Sequence, residues 1–316
     1  MFFNRGILFA CTLILLTISC TQPLTVKKIV ELKQYASGSG LAYLKQRIYL
    51  IGDDMSYLLI ADTSFTPIDS IQLLSSKSVR IAKSIKQDIE AISLVRLKKS
   101  TLLLLPGSGS VHPFRYFCWL VNPLNKQKQL LDLGVFYKRI QAAGIRELNI
   151  EGITSISGGG MILANRGNKS YTKNHLIFTN QDFWNNQHIA DLKIIKLGAN
   201  TDTAFFNGVS GLEYSSKSDC LLLTVSTENT YDSKTDGGIG KSYLWIINNI
   251  STKKRLTAIN PNRVIDLNSL DDRFRTHKIE SVCIVSENKS EYDLVLVADD
   301  DKGNSLLFYV ILKKKG

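Results

Sequence analysis

Apolar runs of about five residues, broken by polar turns, recur along the chain, and five of them open in the same way. Each opening is a Glu or Ser, then a small residue, then an aliphatic one: Ser39-Gly40-Leu41, Glu90-Ala91-Ile92, Glu151-Gly152-Ile153, Ser210-Gly211-Leu212 and Glu280-Ser281-Val282. Successive openings lie 51, 61, 59 and 70 residues apart. A second run follows each, at 47–51, 101–105, 161–164, 220–225 and 293–298, and a third at 57–61, 116–121, 175–178, 243–247 and 306–311. Short runs rich in β-branched and aromatic residues read as strands.

A fourth pattern closes the first four segments: Ile71-Gln72-Leu73, Leu131-Asp132-Leu133, Ile195-Lys196-Leu197 and Ile265-Asp266-Leu267. The fifth segment lacks it after Leu312, and the same pattern stands at the start of the chain as Val30-Glu31-Leu32. An N-terminal strand that completes the last repeat leaves a circular array without a free edge. The expected fold is therefore all-β, a single β-propeller of five blades with four strands each, closed by the N-terminal strand. Six blades, the alternative, need a further repeat that the sequence does not contain. Residues 79–90 and 134–143 are the places where a helical turn fits within a connection.

Ahead of the repeats, Arg5 precedes an apolar run over 6–19 that ends at Ser19-Cys20. Such a run is too short to span a bilayer and suits a signal peptide. A small residue and Cys closing it resemble a bacterial lipobox, whose Cys is acylated. The leading division is a signal peptide over 1–19, a lipidated Cys20 with a short tether over 20–25, and a propeller over 26–316. Acylation places the protein in the bacterial cell envelope, on a membrane, with the outer membrane or a periplasmic face as the expected location.

Of the other cysteines in the repeats, Cys118, Cys220 and Cys283 each sit inside an apolar run with no CxxC or His partner at metal spacing, and read as buried thiols. The chain carries 39 Lys and Arg against 28 Asp and Glu, a formal charge of +11. No nucleic-acid motif accompanies the scattered lysines, so they read as a solubilising surface and no nucleic acid is expected as partner.

Strand one and strand two of a blade run antiparallel, so the start of one and the end of the other share a face. Glu90, Glu151 and Glu280 stand at strand-one starts; Asp53, Asp54, Ser108, Asn165, Arg166, Glu228, Asp299 and Asp300 stand at strand-two ends. Carboxylates gathered at one opening either share a proton or share a cation, and oxygen-only sets suit Ca2+ or Mg2+. The alternative is that they cap strands and tie blades together. Arg166 and Lys278 are candidates for an anionic part of a ligand, and His277 for a base. His112 after Gly107-Ser108-Gly109-Ser110 lacks a nucleophile elbow, and the stretch 229–242, with Thr235 at the first required glycine, lacks a phosphate loop and reads as a long mobile loop.

The Ile-Glu-small-aliphatic openings at 89–92, 150–153 and 279–282 resemble the blade starts of phytase-like and gluconolactonase-like propellers. The runs 37–41 and 51–54 are similar to those of a group of uncharacterised bacterial propeller lipoproteins. The resemblance implies a channel-facing Glu as metal ligand, hence Ca2+ at Glu90, Glu151 and Glu280, while Ser39 and Ser210 replace Glu in two blades; Asp299 and Asp300, at the strand-two end of the fifth segment, are further metal candidates by position. Three functions remain open at this point: binding of a small molecule, glycan or protein at an acidic channel mouth formed with Asp53, Asp54, Asn165 and Glu228; metal-dependent hydrolysis of a phosphate ester or lactone; and a structural or interaction module.

Overall fold

The computed structural model describes residues 22–33, 35–76, 78–97, 100–198, 206–228, 239–275, 277–299 and 303–314. Cys20 with the leader, most of 229–242, and Asp300 lie outside the described residues.

The strands form five separate antiparallel sheets, the blades of a five-bladed β-propeller. Blade one runs Gly38–Leu44, Arg47–Gly52, Tyr57–Asp62 and Pro67–Gln72. Blade two runs Ser93–Leu97, Ser100–Pro106, Phe117–Val121 and Lys128–Asp132. Blade three runs Ile150–Ile156, Gly160–Asn165, Asn174–Asn180 and Lys193–Leu197. Blade four runs Phe206–Ser215, Cys220–Glu228, Ile239–Asn248 and Arg263–Asp266. Blade five runs Lys278–Glu287, Glu291–Asp299 and Ser305–Lys313, and takes its outer strand, Leu24–Leu32, from the N-terminal end of the repeats. The closing strand pairs from Leu24 with Leu312 to Leu32 with Ser305, as the displaced fourth pattern requires.

The first strands of neighbouring blades touch in a complete circuit, so strand one is innermost in every blade. Apolar side chains sort into five clusters, each filling the space between two adjacent blades. Burial between sheets, rather than around one centre, is why the inner strands read as near-continuous apolar runs. Cys118, Cys220 and Cys283 are free and buried among these layers.

The helical turns that fit the connections are present at different lengths. The segment 79–90 holds only an isolated turn, in which Lys86 N–H bonds the Ala82 carbonyl at 3.0 Å, because its ends are captured by bridges of Arg80 to Met55 and Ile89 to Gly107. Ala258–Ile259 adds a short parallel strand to the outer edge of blade three. The expected helical turn after blade two is present as the helix Gly134–Ala142, which buries Phe136, Tyr137 and Ile140.

Candidate functional site: the axial mouth

The repeated opening has a structural cause. In four blades the register between strand one and strand two slips by one residue there. Ile150 pairs with Asn165 but Gly152 with Ala164; the same slip occurs at 38/40, 209/211 and 279/281. In blade two, Ile89 bridges Gly107 while Ser93 pairs with Leu104, so Glu90 falls in an equivalent slip. Such a β-bulge leaves one residue unpaired and re-aims its side chain. The bulged residues are Ser39, Glu151, Ser210 and Glu280. The next position must be small because the neighbouring blade passes over it. A Cβ on Gly211 would stand 2.6 Å from the Glu280 carbonyl oxygen, and one on Gly152 3.0 Å from the backbone nitrogen of Leu212.

The Glu-to-Ser alternation also has a reason. Ser39 Oγ donates to the Ile89 carbonyl at 2.9 Å, and Ser210 Oγ to the Ile279 carbonyl at 2.8 Å. Each serine thus ties its blade to the residue just before the next blade's bulged Glu. The glutamates face one another or a cation instead. Glu151 accepts from Asn149 Nδ2 at 2.6 Å and lies 3.7 Å from Arg166 Nη1; Glu280 pairs with Lys278 at 2.9 Å. The Glu90 carboxyl stands against that of Glu151, and burial, then Glu151 and Asp88, push it well above the usual range. One proton shared between two such carboxyls removes their repulsion.

Beside this pair, one oxygen from each of Asp53, Asp88 and Glu90 lies within 4.8 Å of the others, close enough to surround one cation. A cation of the chain already enters the group. Lys86 Nζ bonds Asp53 and stands 2.7 Å from Asp88 Oδ1. Burial acts against its charge, but Asp53, Asp88 and Glu90 outweigh that and raise its pKa. On the far side, Asp88 Oδ2 takes Arg115 Nη1 and Ser108 Oγ, each at 2.6 Å. Three buried acceptors at this mouth, Asp53 Oδ1, Asp54 Oδ1 and Asn149 Oδ1, have no hydrogen-bond partner among the described residues.

The expected residues divide accordingly. Asp53, Glu90 and Glu151 converge on the axis, with Arg166 against Glu151; Glu280 and Lys278 pair with each other in blade five. Asp54 pairs with Arg80 at 2.6 Å, and both line a polar groove of about 890 Å3 together with Asp53, Lys86 and Asp299. Asn165 is spent on backbone, accepting from Asn149 N at 2.8 Å and donating to Arg166 O at 3.1 Å. His277 lies over Phe308, with Nδ1 3.2 Å from the Arg273 carbonyl of its own loop. The Glu228 side chain lies outside the described residues.

Asp88, Lys86, Arg115 and Asn149 were not picked out from the sequence. A signal for two of them exists. The residues two before the bulged glutamates are Asp88, Asn149 and Lys278, and Asn149 and Lys278 each partner that Glu. Arg115 comes from an inter-blade connection with no period to mark it.

Residues 34–312 match the model of a family of unknown function, DUF6929. No curated protein matches the chain in sequence. Among solved structures, glutaminyl cyclase of Myxococcus xanthus is similar over 92% of this chain and 97% of its own, at 9% identity and a TM-score of 0.52. A putative exported protein of Bacteroides fragilis aligns over 92% of this chain and 96% of its own, at 9% identity and a TM-score of 0.41. At 9% identity the likeness to the cyclase is one of fold alone.

Proposed function

On the premise that the chain belongs to the DUF6929 family, we propose that it is a ligand-binding propeller of the bacterial cell envelope, anchored through Cys20, whose axial mouth takes a donor-rich, cationic group. The Glu90–Glu151 contact carries this reading. Two carboxyls held against each other, Glu151 buried and Glu90 half-buried, need a proton or a cation, and the orphan oxygens of Asp53, Asp54 and Asn149 need donors. An amine-bearing small molecule or glycan meets both demands. Ca2+ meets them too. Its place is Asp53, Asp88 and Glu90 rather than the wider set with Glu151, Glu280, Asp299 and Asp300, because only those three bring oxygens within 4.8 Å among the described residues.

Lys86 decides between proton, amine and ion. Its ammonium occupies the bridge between Asp53 and Asp88 that a divalent ion would use, so an ion must displace it. The test is calorimetric titration of Ca2+ and thermal melting with Ca2+ or chelator, on the parent, Lys86→Met and Glu90→Gln. Ca2+ binding that strengthens in Lys86→Met and disappears in Glu90→Gln supports the ion site. Absence of Ca2+ binding in both parent and Lys86→Met refutes it and leaves the amine reading, which is tested by titrating polyamines and amino sugars against Glu90→Gln. Turnover in a phosphatase and lactonase panel, abolished by Glu90→Gln, would move the site from binding to hydrolysis.

A further inference from the structure

The N-terminal end of the propeller and its mouth lie on opposite faces. The closing strand enters at Leu24, beside Leu312 at the far end of strand three, and reaches the mouth side only at Leu32. Pro23, just before it, accepts from Lys313 N–H at 2.8 Å. A lipid on Cys20 is four residues from Leu24, a reach of at most about 14 Å. The face it would meet is made of the hairpins between strands one and two and the connections between strands three and four.

This face is net basic. Among the described residues those connections, with the C-terminal Lys314, hold eight Lys or Arg and three Asp. The three Asp are engaged: Asp219 accepts from Ser251 Oγ at 2.6 Å, Asp182 from Asn186 Nδ2 at 3.2 Å, and Asp191 pairs with Lys254 at 3.5 Å. Lys45, Lys217, Lys254, Arg255 and Lys289 are exposed. Apolar side chains protrude on the same face. Ile189 and Leu124, the two most exposed large hydrophobic residues described, are 80% and 70% exposed, and Leu256 is 45% exposed next to Arg255. They stand on the strand three-to-four connections of three successive blades.

We propose that this face is a membrane-docking surface for an anionic bilayer, with the basic side chains at the lipid phosphates and Leu124, Ile189 and Leu256 entering the headgroup region. Basic residues alternating with isolated aliphatic tips match an interface that is charged outside and apolar just beneath. The short tether makes the two attachments simultaneous rather than competing. The axial mouth then points away from the bilayer, so its ligand arrives from the aqueous compartment. The choice of this face over the mouth face, whose connections are also net basic, rests on the Cys20 anchor.

The chain from residue 20 carrying Cys20→Ala keeps every strand of the ring and cannot be acylated. It should co-sediment with vesicles of equal phosphatidylcholine and phosphatidylglycerol, far less with phosphatidylcholine alone, and be released at 0.5 M salt. Each basic residue removed should weaken partitioning about fivefold, so Lys254→Glu with Arg255→Glu should weaken it about 25-fold or more. Leu124→Ser with Ile189→Ser, whose exposed side chains leave the fold unburdened, should weaken it about tenfold or more. Lys138→Glu, exposed on a mouth-side connection, should have no effect. Equal binding to both vesicle types, or equal weakening by Lys138→Glu, would overturn the surface. Mass spectrometry of the parent Cys20 reports the anchor separately, and ligand titration of the docking variants reports the mouth separately.

Discussion

Ser210 and Ile279, in adjacent blades, are joined by a hydrogen bond of 2.8 Å from hydroxyl to carbonyl, and the same bond recurs between Ser39 and Ile89 at 2.9 Å. The bond fixes the start of one inner strand against the start of the next. Removing the hydroxyl leaves the Ile279 carbonyl short of a partner in a buried seam, which costs about 1–3 kcal/mol. Ser210→Ala should therefore lower the urea midpoint by an amount in that range, and Ser39→Ala similarly. A Thr at either site should recover part of the loss. Unchanged midpoints in both alanine variants would show that the seam is held by packing alone.

The position after the bulge sets the spacing between blades. Gly211 lies under backbone, its Cβ site 2.6 Å from the Glu280 carbonyl oxygen and 2.9 Å from Ser281 Cα. Backbone cannot step aside as a side-chain tip can, so Gly211→Ala should destabilise by about 1–3 kcal/mol. Blade two carries Ala91 at the same position, 2% exposed, and Ala91→Gly should cost about 1 kcal/mol or less from chain entropy. Equal losses in the two variants, measured by denaturant titration, would remove blade contact as the cause.

The repeated openings and the displaced fourth pattern were legible because each reports a constraint on several blades at once. A bulge that takes a polar residue, and a neighbouring blade that leaves room only for a small one, leave the same three-residue mark in every blade. Ring closure leaves Val30-Glu31-Leu32 at the wrong end of the chain, where it is conspicuous. The cluster beside Glu90 was less legible. Lys86 and Asp88 arrive from 79–90 and Arg115 from the connection after Pro106, and both segments are held by single bridges and turns that follow no period. The acidic character of the mouth was overestimated for the same reason: its carboxylates could be counted from strand ends, while Lys86 and Arg115, which neutralise them, sit in connections.

Glu213 gives the fold a dependence on pH. It extends from the inner strand of blade four toward Ile284 of blade five, whose backbone bonds it, and burial pushes its carboxyl up to about 8. The folded value lies above the ordinary 4.5. The uncharged form is thus the one that the fold prefers. Its contribution is fully present below about pH 4.5 and is lost as the pH rises through about 8. Glu213→Gln, which stays uncharged, should gain stability relative to the parent between pH 5 and pH 9. Urea titrations at pH 5, 7 and 9 check this, and parallel pH profiles in parent and variant would contradict it.

Glu287 has the opposite sign. Burial raises its carboxyl, but Lys314, Ser215 and Ser218 donate to it and together lower it below the ordinary range. Lys314 Nζ lies 2.6 Å from Oε1 and Ser215 Oγ 2.6 Å from Oε2, so the carboxylate ties blade four to the end of blade five. A lowered folded pKa means the contribution is present above the unfolded value and is lost as the pH falls through the folded one. Glu287→Gln keeps the shape but removes the charge, and the side chain is only 5% exposed, so the Lys314 ammonium loses a partner in a sheltered place. The variant should be less stable than the parent at pH 7, by about 1–3 kcal/mol, and the difference should shrink as the pH is taken below about 4. Because Lys314 also packs over the Tyr292 ring at 4.3 Å, Lys314→Met should be milder than Glu287→Gln at neutral pH: it keeps an apolar stem on the ring, while Glu287 retains its two serine donors. A deficit in Glu287→Gln that persists unchanged into acid would mean that shape, not charge, holds the last strand in place.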